Sequence, residues 1–238
     1  MAYLIAAIAV TVLGLIGLVL FLVEKNRKYS VKELLLKAST SVLFVTVGAI
    51  FTFATGHILG LFVTLGLAFG MLGDVWLDLK YVHREKEKEY TYAGFISFGI
   101  GHILYMTGMF LEVFQYVHIL YFIIPLLAGL VLGFAPLLLQ KVLKIHFGEY
   151  AVIATAYSAL LFMMTCCGLS MCIATGFQNV TCIFMFAGGL LFTISDLILS
   201  GTYFGKDHEK PFDIISNGVT YYLAQYLIAW ALVFAVAF

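Results

Sequence analysis

The sequence predicts an all-α polytopic membrane protein with eight transmembrane helices. Of its 238 residues, 63% are hydrophobic and only 11% are charged, whereas soluble globular domains carry about 25% charged residues. The apolar residues form eight runs, each close to the ~20 residues that a helix needs to cross a bilayer. The basic residues lie in or beside every second connection between these runs. Together the three observations favour one helical bundle in a membrane.

The eight runs follow one another with short connections, so we expect a single domain over residues 1–238. The predicted spans are about 2–23, 35–54, 57–79, 91–113, 117–140, 149–173, 180–203 and 214–238. The first run lacks a basic n-region and a small-residue cleavage site, which favours a retained helix over a cleaved signal peptide. With only 3 Pro in the chain, continuous helices are expected.

The basic residues justify the number and the direction of the spans. The connections between spans 1 and 2, 3 and 4, 5 and 6, and 7 and 8 hold all 13 Lys and Arg residues, and the other connections hold none. The positive-inside rule makes this side cytoplasmic, so both termini are predicted to face outward. A missing or additional helix would scramble this alternation. The formal net charge is zero, so nothing indicates nucleic-acid binding.

Two aspartates inside apolar runs are the first candidates for a functional site. Asp74 lies in the third span and Asp196 in the seventh. A charged side chain at a helix centre in a bilayer costs about 2.5–3.5 kcal/mol on insertion scales, and such residues usually serve a function. Both aspartates precede the cytoplasmic end of their helix by a similar number of residues. At ~1.5 Å per residue, both carboxyl groups should lie about 9–11 Å below the cytoplasmic surface.

Further polar residues are predicted at the same depth, and they suggest an internal repeat. His102 follows Asp74 by one helix, and Gln225 follows Asp196 by one helix, which is compatible with a parallel 4+4 duplication. If the third, fourth, seventh and eighth spans are neighbours, these side chains line one cavity open to the cytoplasmic leaflet. The alternative is that such residues only join helices by hydrogen bonds. The group at this depth also includes Asp78, Tyr105, Ser195, Tyr221 and Tyr222.

A pair of buried carboxyl groups suits acid–base chemistry. Desolvation favours the neutral form of a buried carboxyl group, and two such groups close together titrate apart, so one is protonated while the other is ionised. The pair then supplies a general acid and a general base at neutral pH. Reactions that begin with protonation and end with attack of water on a cation need this combination. Asp74 and Asp196 are therefore the predicted catalytic residues, with their individual roles left open.

Other classes of protein fit the sequence less well. A metal-dependent lipid amidase needs several His ligands, but only His102 lies deep in a span, and we expect no metal or cofactor. The serine-hydrolase motif G-x-S-x-G is absent, and Met71 stands where the G-x-G-D signature of intramembrane proteases has its first Gly. A proton-coupled lyso-lipid transporter or a lyso-lipid binding protein that uses the same carboxylates remains the alternative. The four cysteines are expected to pack as small hydrophobic residues; they are Cys166, Cys167, Cys172 and Cys182.

Several motifs resemble a known family of membrane proteins. The segments GGLLFTISDLILS (188–200) and TYYLAQYLI (220–228) are similar to the most recognisable block of the YhhN-type, or lysoplasmalogenase, family. The resemblance extends in consistent order over most of residues 35–235. One departure is that the family often has a Pro at or shortly after its lysine, where this chain has Ala38. The remaining matching positions are Lys37, Gly73, Asp74, Gly101, His102, Tyr105 and Tyr157.

The resemblance implies an eight-span enzyme that hydrolyses the vinyl ether bond of lysoplasmalogens. The products are a fatty aldehyde and glycerophosphoethanolamine or glycerophosphocholine. The implied partners are this lipid substrate and the surrounding membrane lipids, in the cell membrane or, in a eukaryote, the endoplasmic reticulum. Lys37 is expected to meet the phosphate. The full set of candidate substrate-binding residues is Lys37, Asp78, His102, Tyr105, Tyr157, Ser195, Tyr221, Tyr222 and Gln225.

Overall fold

The computed structural model describes residues 1–25, 30–205 and 210–235, and it contains no β-strand within these ranges. Ten α-helices make up most of the described chain. They are α1 (Ala2–Lys25), α2 (Val31–Thr55), α3 (Ile58–Val82), α4 (Glu87–Val113), α5 (Leu120–Gly133), α6 (Ala135–Leu138), α7 (Gln140–Leu143), α8 (Ala151–Ala174), α9 (Val180–Phe204) and α10 (Pro211–Ala231).

Seven helical segments of the described chain are long and apolar enough to cross a membrane. They correspond to α1, α2, α3, α4, α5 with α6, α8 and α9, the fourth and sixth each with a preceding short 3-10 turn. The eighth predicted span corresponds to α10, which has 21 residues but is not among the seven. Asn217 and Gln225 lower its hydropathy. The protein is thus an all-helical, multi-pass membrane protein, and an eighth crossing, the orientation and the 4+4 repeat stay predictions.

Local sequence explains several helix ends. Ser30 caps α2 by accepting a hydrogen bond from the Glu33 amide at 3.1 Å, so α2 begins before the predicted residue 35. Gly56 ends the same helix in the left-handed conformation, with φ of 70°, which glycine adopts without a steric penalty. Asn179 caps α9 by accepting from the Cys182 amide at 3.2 Å.

The fifth predicted span, 117–140, corresponds to the candidate span Leu120–Leu138, but it is not one continuous helix. The segment divides into α5, α6 and α7, and the regular hydrogen-bond ladder changes at Phe134, whose amide donates to the Val131 carbonyl at 3.2 Å. Pro136 has no amide hydrogen to continue the ladder. On α5, Gly133 packs so closely on α8 that an added Cβ would lie 2.3 Å from the Ala159 Cα. The close approach ends where α5 ends.

The connections with basic residues are joined to one another at one end of the bundle. Lys88, at the start of α4, pairs with Glu149, just before α8. The His146 amide donates to the carbonyl of Phe204, at the end of α9, at 2.8 Å. At the other end His57, before α3, lies 3.4 Å from Glu112 on α4. The described part of the charge pattern is therefore collected at one end; Arg27, Lys28 and Lys206 lie outside the described residues.

Candidate active site

One cavity lies at the basic end of the bundle and reaches both aspartates. It encloses about 1410 Å³ of space without protein atoms, including its open mouth. Its more polar wall comes from α1, α2, α3 and α10, its more apolar wall comes from α4, α5, α6 and α8, and α9 contributes polar and apolar side chains. Seven of the predicted site residues line it, namely Lys37, Asp74, Tyr157, Ser195, Asp196, Tyr221 and Tyr222. The two carboxyl groups thus face the same space.

Asp74 is buried among several partners. Its Oδ2 accepts hydrogen bonds from the Ser41 hydroxyl at 2.6 Å and from the Tyr221 hydroxyl at 2.7 Å. Its Oδ1 lies 3.5 Å from the Lys37 ammonium. The side chain of Asp74 therefore has one cation and two hydroxyl donors, which is the surrounding that stabilises an ionised carboxylate.

Asp78 continues this charged cluster behind the cavity wall. Its Oδ1 accepts from Lys37 Nζ at 2.9 Å and lies 4.0 Å from Lys25 Nζ, and Lys25 in turn lies 3.1 Å from Glu33. Asp78 is only 3% exposed and does not line the cavity. The structure thus does not bring Asp78 to the predicted substrate space. Lys37 lines the cavity, but its ammonium is engaged by two carboxylates.

Asp196 has a much simpler environment. The Tyr157 hydroxyl donates a hydrogen bond to its Oδ2, and no other hydrogen bond or ion pair to its side chain is found among the described residues. Its neighbour Ser195 is bound to α10, because the Asn217 amide donates to the Ser195 carbonyl and hydroxyl, both at 2.9 Å. Asp196 is half-buried, whereas Ser195 is fully buried.

A second layer of polar side chains supports the two tyrosines. Gln225 donates to the Tyr221 hydroxyl at 3.0 Å and accepts from the Tyr105 hydroxyl at 3.2 Å. His102 Nε2 lies 3.4 Å from the Tyr157 hydroxyl. Gln225, Tyr105 and His102 are buried and lie outside the cavity lining, so the structure places them behind the predicted substrate space.

The second-layer partners are crossed relative to the predicted repeat. His102, one helix after Asp74, contacts Tyr157 and thereby the Asp196 side. Gln225, one helix after Asp196, contacts Tyr221 and thereby the Asp74 side. Among the described contacts, neither aspartate is bonded to the polar residue of the following helix. Asp74 is bonded to Lys37 and Ser41 of the preceding helix α2 and to Tyr221 of α10, and Asp196 is bonded to Tyr157 of the preceding helix α8.

Sequence reasoning missed three polar residues of the site: Ser41, Asn217 and Lys25. Two of them carried a usable signal. Ser41 follows Lys37 by one helical turn, and Asn217 precedes Tyr221 by one turn, so each shares a helix face with a residue that was identified. Lys25 closes α1 and lines the cavity, but its position among several loop lysines gave no indication of this.

The described part of the chain contains no group of three or more His, Cys, Asp or Glu side chains arranged to hold a metal ion. The four cysteines are free thiols. Cys172 and Cys182 are buried together in a small apolar cluster with Met171 and Phe122.

Fold and site together define a class: multi-pass helical membrane proteins with a carboxylate-lined cavity near one end of the bundle. Within that class the sequence profile of the YhhN family matches residues 32–232. The chain belongs to the YhhN family. No curated protein and no solved structure is detectably similar to it.

Proposed function

We propose that this protein is a lysoplasmalogenase, which hydrolyses the vinyl ether bond of a single-chain phospholipid. The observation that carries the proposal is the pair of carboxyl groups that line one cavity in opposite surroundings. Asp74 faces a lysine and two hydroxyl donors, and Asp196 faces a tyrosine hydroxyl alone. This asymmetry suits one ionised and one neutral carboxyl group in a single site. Membership of the YhhN family agrees with a hydrolase of this kind.

The surroundings assign the two roles. Asp196, which has no cation beside it among the described residues, is the neutral acid and protonates the alkene carbon distal to the ether oxygen. The resulting oxocarbenium ion is stabilised by the ionised Asp74, as in glycoside hydrolysis. Water then adds to the carbon that bears the oxygen and gives up its proton to a carboxylate. The hemiacetal collapses to a long-chain aldehyde and the glycerol hydroxyl, so no co-reactant besides water is consumed.

The cavity matches the two ends of such a substrate. Lys25 and Lys37 line its polar wall, and Phe95, Leu161 and Phe162 are among the residues of its apolar wall. The glycerophospho headgroup takes the polar end, next to the basic connections. Lys37 is already bound to Asp74 and Asp78. We therefore propose that Lys37 positions Asp74, and not that it contacts the phosphate as predicted from the sequence. The proposed location is the cell membrane, or the endoplasmic reticulum in a eukaryote.

A product assay on purified protein in detergent tests the proposal. A lysoplasmalogen should release long-chain aldehyde, and its saturated-ether analogue should not, because only the vinyl ether can be protonated to an oxocarbenium ion. Asp74→Asn and Asp196→Asn should each lower the rate at least ~100-fold. Asp213→Asn, on α10 but not part of the cavity lining, should leave the rate unchanged.

The transporter alternative predicts a different outcome. Lysolipid binding without aldehyde release, together with lysolipid flux in proteoliposomes, would overturn the proposed hydrolase. Near-normal rates in either aspartate variant would remove that residue from the chemistry.

A further inference from the structure

We infer that a groove over α8, between the α5–α6 segment and α9, binds the single hydrocarbon chain of the substrate, and that Leu197 limits the chain length it accepts. The inference rests on the proposed function for the identity of the lipid. The groove itself is argued from the lining, exposure and packing of the helices around it.

The first observation is that the cavity reaches the outer surface of the bundle at Leu197. This side chain lines the cavity, and the residue is nevertheless 47% exposed. Leu197 follows Asp196 directly on α9, so the opening lies beside the proposed acid. A residue at this depth of an apolar helix faces the hydrocarbon of the bilayer. We take this exposed side of Leu197 to be an opening of the cavity toward lipid.

The second observation is the packing that leaves this opening. Both α5 and α9 pack on α8, but α5 and α9 form no comparable interface with each other in the described structure. The α8 residues Thr155, Ser158 and Phe162 line the cavity, and so does Gly133 at the end of α5. α5 ends at Gly133 and α6 begins at Ala135, so the break between these helices lies beside the gap. One face of α8 is thus left uncovered between two walls.

The wall on the α6 side is fixed by hydrogen bonds. The Gln140 side-chain nitrogen donates to the Leu137 carbonyl at 2.9 Å, and the Gln140 side-chain oxygen accepts from the Phe147 backbone amide at 3.1 Å. Leu137 and Phe147 both line the cavity. The segment after α5 is therefore a defined wall, which the Gln140 side chain holds in place.

The occupant follows from what the groove joins. At one end it meets Asp196 and the polar wall with Lys25 and Lys37, and at the other it meets the surface that faces lipid tails. A molecule that fills both parts has one charged headgroup and one apolar tail. A single groove accommodates a single chain, which distinguishes a lysolipid from a two-chain phospholipid. The vinyl ether, where head and tail meet, then lies beside the carboxyl groups.

Leu197→Trp tests the groove, and Leu190→Trp is its matched control. Leu190 lies on the same helix, two turns earlier, with 44% exposure, but it does not line the cavity. Binding is measured to purified protein with non-cleavable saturated-ether lysolipids that carry an octyl or a palmityl chain. Leu197→Trp should weaken palmityl binding about tenfold, since several methylene contacts are lost. Octyl binding should fall by a smaller factor, because fewer of its methylene groups extend past Leu197, and both affinities in Leu190→Trp should stay within about twofold of the unmodified protein.

The outcomes separate the groove from the proposed reaction, because the binding probes need no turnover. A chain-selective loss in Leu197→Trp without any aldehyde release from vinyl ether lipid would support the groove and overturn the hydrolase. Aldehyde release with equal palmityl affinity in both tryptophan variants would overturn the groove and leave the hydrolase. Absence of lysolipid binding in the unmodified protein would overturn both. Leu197→Ala, which widens the groove, should leave palmityl binding at least as strong as in the unmodified protein.

Discussion

Asp74 and Asp196 line the same cavity, but the protein surrounds the two carboxyl groups in different ways. Asp74 belongs to a charged cluster with Lys37 and Asp78, and it accepts two hydroxyl hydrogen bonds. Asp196 has one tyrosine hydroxyl as its partner among the described residues. The comparison teaches that matched depth in the membrane does not imply matched chemistry. Under the proposed function, Asp74 holds a charge and Asp196 releases a proton.

The largest expected effect concerns the lysine that only the Asp74 side has. Lys37→Met leaves Asp74 and Asp78 buried with one cation fewer, and removing one partner of a buried ion pair lowers the free energy of unfolding by about 3–5 kcal/mol. Thermal unfolding in detergent measures this loss. Lys32→Met, on the same helix but with a 68% exposed side chain, should cost at most about 1 kcal/mol.

The double variant Lys37→Met with Asp78→Asn then checks the cause of that loss. Removing an unpaired charge should recover part of the lost stability, so the two changes should not add. If the double variant is as unstable as the sum of the single variants, the charge pairing of Lys37 is not what stabilises α2 against α3.

The second prediction separates the two aspartates by stability. Both Asp74→Asn and Asp196→Asn should lose at least ~100-fold in aldehyde release, but only Asp74→Asn should lower the unfolding temperature. Its neutral amide leaves Lys37 with one anion fewer, whereas asparagine resembles the neutral form proposed for Asp196. Equal unfolding temperatures in the two variants would contradict the assignment of the charged and neutral roles.

The third prediction compares the two tyrosines. Tyr157→Phe should reduce the rate about 10–100-fold, because among the described residues it removes the one hydroxyl bonded to Asp196. Hydrogen bonds to charged groups are worth about 1.5–3 kcal/mol, and Asp196 becomes charged in the reaction. Tyr221→Phe should reduce it only about threefold, since Ser41 and Lys37 remain beside Asp74. Turnover with saturating lipid measures both. If Tyr221→Phe lowers the rate more than Tyr157→Phe does, Asp74, and not Asp196, is the carboxyl group that depends more on its tyrosine.

The smallest effects are expected in the second layer. Gln225→Leu leaves the Tyr105 hydroxyl without its acceptor and Tyr221 without a donor, which should lower the free energy of unfolding by about 1–3 kcal/mol. His102→Leu removes a single long contact of 3.4 Å and should cost less than about 1 kcal/mol. Urea or thermal unfolding in detergent compares the two. A larger loss in His102→Leu would mean that the Asp196 side depends more on its second layer than its geometry indicates.

Much of the fold could be predicted from the sequence, because apolar length and loop charge are local signals. The positions of α1 to α4, α8 and α9 follow from them. The break in the fifth helix could not be predicted, since Pro125 lies within α5 while Pro136 lies just past its end. A proline alone does not indicate whether a helix continues through it or ends beside it. The difference comes from close packing of α5 on α8 up to Gly133.

The site was predicted in its residues more than in its connections. An unusual polar residue in an apolar helix marks the site, so Asp74, Asp196 and Tyr221 were found, whereas Tyr157 was identified only through the family resemblance. Which of them touch depends on how helices distant in sequence pack, and this the spacing does not contain. Hence the crossed contacts of His102 and Gln225 were missed. Helical periodicity would have added Ser41 and Asn217, each one turn from an identified residue.

The ion pair of Lys37 also bears on how the chain enters the membrane. Lys37 and Asp78 are 41 positions apart in sequence, and Ser41 and Asp74 are 33 apart, whereas Tyr221 is 147 positions after Asp74. During synthesis, α2 and α3 therefore emerge together, long before α10. As a hairpin they bring the Lys37 ammonium to the two carboxyl groups of α3, which lowers the penalty of inserting α3. Asp74 is thus synthesised soon after Lys37, and Tyr221 is added to its surroundings last.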